Sequence, residues 1–359
     1  MTAYWLAYMY IVFFALIESP IPALKNSIEK RNLNLQWTLT FIFLSLFIGL
    51  RHNVGGDWGS YLIYFQEIKY INPSSIFNLA QDFGYTYLNW FVNKLGSQIY
   101  LVNLICGIIF SYGLCVFCIH TTRPFLALAA AFPYLVVVVA MGYTRQSVAI
   151  GLGMMGFIYM QRRSFLKFTA IMFMAISFHK TSAILIGLAI FIFSRNKFIT
   201  LVGFIVISYL ILSSPFLAQF EDLYQYYVLD DYQSQGAAVR VAMLFLPSII
   251  FLIWPHRFNF SYDQERLWKL IAYISIGLLL ALLLLDASTA VDRIALYFLP
   301  IQMIVFASLP EIIKGIKNSS SVLIILIILF YISVMFVWLN FAFHAMYWLP
   351  YSNLLFEML

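Results

Sequence analysis

Charged residues are scarce in this sequence. They make up only 10% of its 359 residues and apolar residues make up 63%, whereas a typical soluble protein has about 25% charged and roughly 45–50% apolar residues. A soluble globular enzyme, a disordered chain and a coiled coil are therefore excluded. The apolar runs are also too long for an outer-membrane barrel, whose strands alternate over about ten residues. The composition predicts an all-α polytopic membrane protein that forms one domain over residues 1–359.

Cysteine is also rare, and all three cysteines share one apolar run, which excludes a secreted disulfide scaffold. Cys115 and Cys118 have the C-x-x-C spacing of redox proteins, but no βαβ pattern surrounds them, so plain helix packing is favoured. The sequence lacks an H-E-x-x-H motif, a Walker loop and zinc-ligand spacing. We expect no cofactor, no dedicated metal site and no nucleic-acid partner. Metal-assisted catalysis stays open because several acids lie on the predicted outer side: Asp57, Asp230, Asp231, Asp286 and Asp292.

Long apolar runs are what the sequence has in abundance. A helix needs about 20 such residues to cross a hydrocarbon core of about 30 Å. The runs 124–160 and 165–194 are too long for one helix each, since the first would extend for about 55 Å. Their polar residues predict that they fold back at 142–146 and at 179–180. About twelve transmembrane helices result: 3–22, 34–50, 99–119, 124–142, 145–160, 165–178, 180–194, 198–217, 237–255, 267–285, 291–309 and 320–342.

The twelve predicted spans place successive loops on alternate sides of the membrane, and the basic residues are distributed unequally between these two sides. Fourteen of the 21 lie on one side, which the positive-inside rule assigns to the cytoplasm. The other side, here called the outer side, has ten of the fifteen acids. Five of its seven basic residues nevertheless occupy span ends, although an arginine near the bilayer centre costs about 2.5–3.5 kcal/mol. They are Arg51, Arg145, Lys180, Arg240 and Arg293.

Five cations at one level of one face indicate a site for an anionic ligand. Arginine presents a planar fork of donors that matches phosphate or pyrophosphate oxygens. Two alternatives stay open for each residue. In the first, the basic side chain extends to the lipid headgroups. In the second, it pairs with a buried carboxylate such as Asp57 or Asp292.

Two sizeable outer loops are predicted, at about 51–98 and 218–236. Both are rich in aromatic side chains, amides and acids. Flat rings stack on sugar faces, and amides and acids bond to hydroxyl groups, so this composition suits a carbohydrate ligand. The alternative is an interfacial aromatic belt, which explains the Trp and Tyr residues but not the amides.

Four short motifs occur in a fixed order along the chain. They are G-L-R-H-N-V-G-G-D-W-G-S-Y-L-I-Y-F at 49–65, Y-T-R-Q-S-V-A at 143–149, S-F-H-K-T-S-A at 177–183 and D-R-I-A-L-Y-F at 292–298. As a set they resemble the EpsG family of bacterial polysaccharide polymerases, relatives of the Wzy-type O-antigen polymerases. The resemblance covers most of the chain, from the second predicted span to the eleventh.

The resemblance implies a GT-C-like site on the outer face of the bacterial cytoplasmic (inner) membrane. There a growing glycan on undecaprenyl pyrophosphate is transferred to the non-reducing end of a new lipid-linked repeat unit, in O-antigen, capsule or exopolysaccharide synthesis. The implied partners are the undecaprenyl-pyrophosphate-linked oligosaccharide, membrane lipids, a chain-length regulator and a flippase. Two alternatives are a flippase or exporter of lipid-linked sugars and an O-antigen-ligase-like glycosyltransferase. Span interiors that are nearly free of charge favour a reaction at the interface over passage through the protein.

The resemblance and the charge pattern together suggest roles for individual residues. His179 and Asp57 are the candidate catalytic bases for the attacking hydroxyl. The other candidates are expected to bind substrate: Arg51, Arg145, Gln146, Lys180, Arg240, Asp292, Arg293, Tyr61 and Tyr297.

Overall fold

The computed structural model describes residues 1–21, 33–72, 76, 82–194, 196, 202, 236–284, 288–313 and 319–357. Fifteen α-helices occur within these ranges. They are α1 (Thr2–Ile17), α2 (Leu35–Gly49), α3 (Trp58–Ile68), α4 (Phe83–Lys94), α5 (Ile99–Ile119), α6 (Pro124–Ala131), α7 (Thr144–Gln161), α8 (Phe165–Phe178), α9 (Ile184–Phe193), α10 (Ala237–Ile253), α11 (Tyr262–Leu284), α12 (Ser288–Ala295), α13 (Pro300–Ile312), α14 (Ser319–Phe341) and α15 (Leu354–Glu357). Two short strands, β1 (Arg51–His52) and β2 (Ser352–Asn353), pair antiparallel.

Three of the described helices, α5, α11 and α14, are long and apolar enough to cross a membrane. The helical segments Ser288–Phe298 and Pro300–Ile312, which contain α12 and α13, are bent by 45° relative to each other. Together they are long and apolar enough to form a fourth span. Shorter apolar helical segments of 10–17 residues occupy six further predicted spans. The protein is thus an all-α multi-pass membrane protein, as predicted. The total of twelve spans stays a prediction, and the span 198–217 and the outer loop 218–236 lie, apart from residues 202 and 236, outside the described residues.

Both predicted fold-backs are confirmed. Helix α6 continues as a π-helix, Phe132–Ala140, and the chain reverses before α7 begins at Thr144. Pro133 lies in the first turn of that π-helix, where its missing N–H removes one hydrogen bond of the regular pattern. Helix α8 ends at Phe178, His179 adopts an extended backbone, and a 3-10 turn, Lys180–Ala183, leads into α9. A polar stretch between two apolar runs was therefore enough to locate each reversal.

The outer stretch 51–98 differs from the predicted loop because it contains two helices, α3 and α4. The buried residues of α3 are Trp58, Tyr61, Phe65 and Ile68, spaced three or four apart as on one face of a helix. This period predicts an amphipathic helix too short to span a membrane. The outer aromatic residues thus belong partly to a packed layer, which is a reason for their presence besides ligand binding.

Glycines bring the central helices into close contact. A Cβ atom on Gly113 of α5 would lie 2.1 Å from the main-chain oxygen of Gly151 of α7, and one on Gly107 would lie 3.1 Å from the nitrogen of Gly49 of α2. No larger side chain fits at Gly113, and one at Gly107 would require α2 and α5 to move slightly apart. Helices α2, α5 and α7 therefore pack with their backbones almost touching, as small residues allow in membrane bundles.

Polar contacts join the helices at two opposite ends of the bundle. At one end Arg123 pairs with Glu311 at 2.7 Å and Arg163 pairs with Asp263 at 2.6 Å. At the other end, here called the site end, β1 pairs with β2, and Asp82 contacts Arg145 and His179. The residues that meet at the site end are thus ones that the predicted alternation of spans assigns to the outer side of the membrane.

Candidate functional site

Asp82 lies at the centre of the polar residues at the site end. It precedes α4, and only 7% of its surface is exposed. Its Oδ2 accepts a hydrogen bond from Arg145 Nη1 at 3.3 Å and lies 3.2 Å from His179 Nδ1. Its Oδ1 accepts from the backbone N–H of Lys180 at 3.1 Å. These four residues form the Asp82 cluster, which joins α4, α7 and the break between α8 and α9.

The environment keeps the Asp82 carboxylate charged. Burial alone would raise its pKa, but the hydrogen bond and charge of His179, the charge of Arg145 and the Lys180 N–H together hold the pKa below its ordinary value of 3.8. An ionised Asp82 fixes the His179 ring by accepting at Nδ1. The Nε2 atom of His179 is then the ring nitrogen that can accept a proton.

Arg145 connects the Asp82 cluster to the aromatic residues of α3 and α4. Its Cζ lies 6.0 Å from the ring centroid of Tyr61 and 5.9 Å from that of Tyr85. Burial raises the pKa of Tyr61, against the opposing charge of Arg145, so that this hydroxyl stays neutral and can donate a hydrogen bond. The two rings and Asp82 hold the guanidinium in one orientation.

A second group of polar residues, the Arg293 cluster, lies between α7, α10 and α12. Arg293 lies over the ring of Tyr143 at 4.2 Å, and its Nη1 donates to Gln146 Oε1 at 3.2 Å. Gln146 Nε2 donates in return to the Arg293 carbonyl at 2.7 Å. Arg240 makes two parallel hydrogen bonds to Asp292, with Nε to Oδ1 and Nη2 to Oδ2 both at 2.8 Å.

The Arg240–Asp292 contact is the paired-carboxylate alternative that the sequence left open. Two parallel bonds between a guanidinium and a carboxylate are the strong form of such a pair. The pair fixes α10 to α12 next to Arg293. The predicted contact of Arg240 and Asp292 with substrate stays a prediction, and their structural role is clear.

Asp57 lies between the two clusters, just before α3. Burial raises its pKa, and the nearby charges of Arg293, Arg145 and His344 oppose that rise. Within the described part of the chain no group donates a hydrogen bond to the Asp57 carboxylate. Asp57 therefore offers an open carboxylate within the electrostatic reach of two guanidinium groups.

Arg51 differs from the other four cations because the protein encloses it. Only 1% of its surface is exposed. It donates to the carbonyls of Ile48 and Val54 at 2.7 and 3.2 Å and to Thr144 Oγ1 at 2.7 Å. Arg51 therefore holds the start of α7, beside Arg145. Its contact with substrate stays a prediction, and these hydrogen bonds give it a structural role.

Tyr297 is also buried, with its hydroxyl 3.0 Å from Thr181 Oγ1. The contact fixes the 3-10 turn that follows His179. We therefore assign Tyr297 to the support of the Asp82 cluster, whereas its contact with substrate stays a prediction.

Sequence reasoning missed Asp82 and Tyr143 as site residues. Asp82 was one of ten outer acids, and no motif distinguished it. The available signal was its place before the amphipathic segment 83–94, where an acidic residue is favoured at a helix start. Its three partners come from 63 to 98 positions away in the chain, and the sequence does not reveal such contacts.

The described residues contain no group of three or more His, Cys, Asp or Glu side chains able to hold a metal ion. Three of the acids on which metal-assisted catalysis would depend, Asp230, Asp231 and Asp286, lie outside the described residues.

Comparison with known proteins supplies the family. The sequence model of the EpsG family matches residues 34–353. The chain belongs to the EpsG family. This family is one of Wzy-type polysaccharide polymerases, and the match includes every member of the Asp82 and Arg293 clusters. No curated protein and no solved structure matches the chain significantly. Membership supports a role in polysaccharide polymerisation at a membrane.

Proposed function

We propose that this protein polymerises lipid-linked oligosaccharide repeat units at the outer face of the bacterial cytoplasmic membrane. The growing glycan is transferred from undecaprenyl pyrophosphate to the non-reducing end of a new lipid-linked unit. The observation that carries the proposal is that Arg145 and Arg293 come together at the site end, since Arg293 bonds to Gln146, the residue after Arg145, and that the charges of both arginines act on the carboxylate of Asp57. The His179–Asp82 pair adjoins this group through Arg145.

The arginines stabilise the leaving group. A hydroxyl of the new unit attacks the anomeric carbon of the growing glycan, and the bond from that carbon to the pyrophosphate oxygen breaks. Negative charge then develops on undecaprenyl pyrophosphate. Arg145 is already held by Tyr61 and Asp82, and Arg293 by Tyr143 and Gln146. The two guanidinium groups therefore stabilise that charge without reorganising. Lys180 and Arg240 add positive charge nearby.

The proton of the attacking hydroxyl goes to a base. We assign this role to His179 Nε2, since Asp82 bonds to Nδ1 and so fixes both the tautomer and the ring orientation. Asp57 is the second candidate. Because burial raises its pKa, it is a stronger base than an exposed aspartate, and its role would be to accept a hydrogen bond from a sugar hydroxyl.

The test is polymerisation by the purified protein in detergent, supplied only with lipid-linked repeat units, with the product analysed as a glycan ladder. We expect a ladder from the wild type and none from Arg145→Ala or Arg293→Ala. Lys94→Ala is the matched control, because it removes an exposed cation at the same end of the bundle. Arg145→Lys should reduce activity at least about tenfold, since lysine lacks the planar fork.

Three results would contradict parts of this proposal. Transfer of a single unit without a ladder would indicate a ligase. Passage of lipid-linked sugar across proteoliposomes without any glycan transfer would indicate a flippase. A normal ladder from both His179→Ala and Asp57→Asn would exclude both candidates for the base.

A further inference from the structure

The segment 343–357, here called the returning segment, folds back over the site end after α14. Trp348 anchors it: its Nε1 donates to the Val137 carbonyl at 2.7 Å, and its own carbonyl accepts from the Tyr4 hydroxyl at 2.9 Å. A Cβ atom on Gly142 would lie 2.6 Å from the Trp348 ring, so the indole fills the space that this glycine leaves. Pairing of β2 with β1 fixes the other end. The returning segment is therefore anchored to the bundle at both ends.

A cavity of about 280 Å³ lies between the returning segment and the turn that follows β1. Its volume is near the lower end of ligand pockets, which run from about 300 to 1,000 Å³, so it fits one sugar residue rather than a whole oligosaccharide. Its lining is mixed, with the apolar side chains of Met346, Leu349 and Pro350 beside His52, Asn53, Gly55, Tyr347, Ser352 and Glu357.

The lining of this cavity suits a neutral, hydroxyl-rich ligand. Glu357 and His52 are 3.7 Å apart, and Ser352 donates a hydrogen bond to Glu357. The His52 ring is held from the other side by the Tyr100 hydroxyl at 2.5 Å from Nδ1. Tyr347 lines the cavity and is 44% exposed, and its ring is stacked on that of His344 with 6.2 Å between the centroids. An aromatic face beside mixed donors and acceptors recognises a sugar ring.

The charge of the cavity separates it from the arginine-rich clusters. The described residues that line it include one carboxylate, one histidine and neither lysine nor arginine. A phosphate or pyrophosphate would therefore meet repulsion from Glu357 here and attraction at Arg145 and Arg293. The two regions are suited to different parts of one substrate.

The cavity adjoins the candidate active site through the turn at 53–57. Gly55 lines the cavity and donates its N–H to the Tyr347 carbonyl at 2.9 Å. Asp57 follows two residues later, and the returning segment brings the charge of His344 within its reach. A glycan whose reacting end lies at Asp57 would have a neighbouring sugar at this cavity.

We propose that the cavity between the turn at 52–55 and the returning segment binds a neutral sugar residue of the glycan substrate. The inference rests on the proposed function, since that function supplies the glycan. The growing glycan and the incoming repeat unit are built from the same sugars, and the second measurement separates these two sources.

The first measurement is binding without turnover. The probe is the oligosaccharide that mild acid releases from lipid-linked units accumulated in cells lacking this protein. Its affinity for the purified full-length protein is measured by NMR titration. We expect Tyr347→Ala and Glu357→Gln each to weaken binding, the latter about tenfold or more, since it removes an acceptor charge. Tyr347→Phe should retain most of the affinity because the ring is kept.

The matched control for binding is Leu355→Ala, which changes an exposed residue of the same segment outside the cavity lining. It should bind like the wild type. Binding that is undetectable in the wild type, or equal in the wild type and both cavity variants, would overturn the proposal. Both substituted side chains are exposed, and equal melting temperatures in detergent confirm that the variants are folded.

The second measurement assigns the sugar to its source. If the incoming unit occupies the cavity, both cavity variants raise the KM for lipid-linked units and slow the first condensation. If the growing glycan occupies it, the first condensation is unchanged and the ladder is shorter. A ladder and first condensation identical to those of the wild type would overturn the sugar site alone. Oligosaccharide binding through the cavity without any ladder from the wild type would contradict the polymerase and support the sugar site.

Discussion

The carboxylate of Asp82 lies 3.2 Å from Nδ1 of His179, although 97 positions separate them in the chain. The pair joins a short helix outside the bundle to the break between two bundle helices. If His179 is the base, Asp82 is a positioning residue that acts through it.

Replacement of Asp82 should therefore impair turnover more than substrate binding. We expect Asp82→Asn to lower kcat on the order of tenfold or more while KM changes little, because His179 loses the partner that fixes its tautomer. The profile of kcat against pH should also shift, which a purely structural role would not produce. Glu67→Gln, an exposed acid of α3, is the control and should behave like the wild type.

The same carboxylate makes the stability of the fold depend on pH. Since the folded-state pKa of Asp82 lies below its ordinary value of 3.8, the unfolded chain takes up a proton first as the pH falls. The stabilisation is therefore complete above that value and disappears as the pH falls through the folded-state pKa. Melting temperatures from pH 3 to 7 should show wild type and Asp82→Asn differing most near neutral pH and converging below pH 3.8. A constant difference across this range would contradict the assignment.

The Arg240–Asp292 pair is expected to stabilise the contact between α10 and α12. Removing one partner, in Arg240→Gln or Asp292→Asn, should destabilise the protein because the other charge stays largely buried. The double variant should recover part of the loss, with a coupling energy of about 0.5–3 kcal/mol in a double-mutant cycle of thermal unfolding. Additive effects of the two changes would show that the pair contributes nothing as a pair.

Arg51→Ala should fail through folding rather than through chemistry. It would leave two carbonyls and Thr144 without their donor, at about 1–3 kcal/mol for each unsatisfied group, and would open a void in a fully buried site. We expect a low yield of folded protein and a lowered melting temperature. Arg145→Ala should lower the melting temperature less than Arg51→Ala does, because Asp82 keeps its contacts with His179 and the Lys180 N–H, and it should lack activity. A stable but inactive Arg51→Ala would instead restore Arg51 to the substrate site.

Several features of the site could be predicted from the sequence because they follow from the free-energy cost of a charged side chain at the end of a membrane span. A basic residue at the end of an apolar run on the outer side needs an anionic partner. This argument selected Arg51, Arg145, Lys180, Arg240 and Arg293, and two of them, Arg145 and Arg240, pair with carboxylates. It also named Asp292 as a paired carboxylate. The sequence did not identify Asp82, because an acidic residue in a polar outer segment carries no unusual free-energy cost. Its importance comes from its burial among three partners, which only the structure shows.

The sequence by itself determined that this is a membrane protein, where the chain reverses and which residues lie at the site end. These properties follow from hydrophobic length and from the position of charge, both of which are local. Only the tertiary structure decided that Arg51 is enclosed, that Arg240 is paired and that the returning segment forms a cavity beside Asp57. Those outcomes depend on which distant side chains come within hydrogen-bonding distance, and that is set by helix packing around Gly113, Gly151 and the Trp348 anchor.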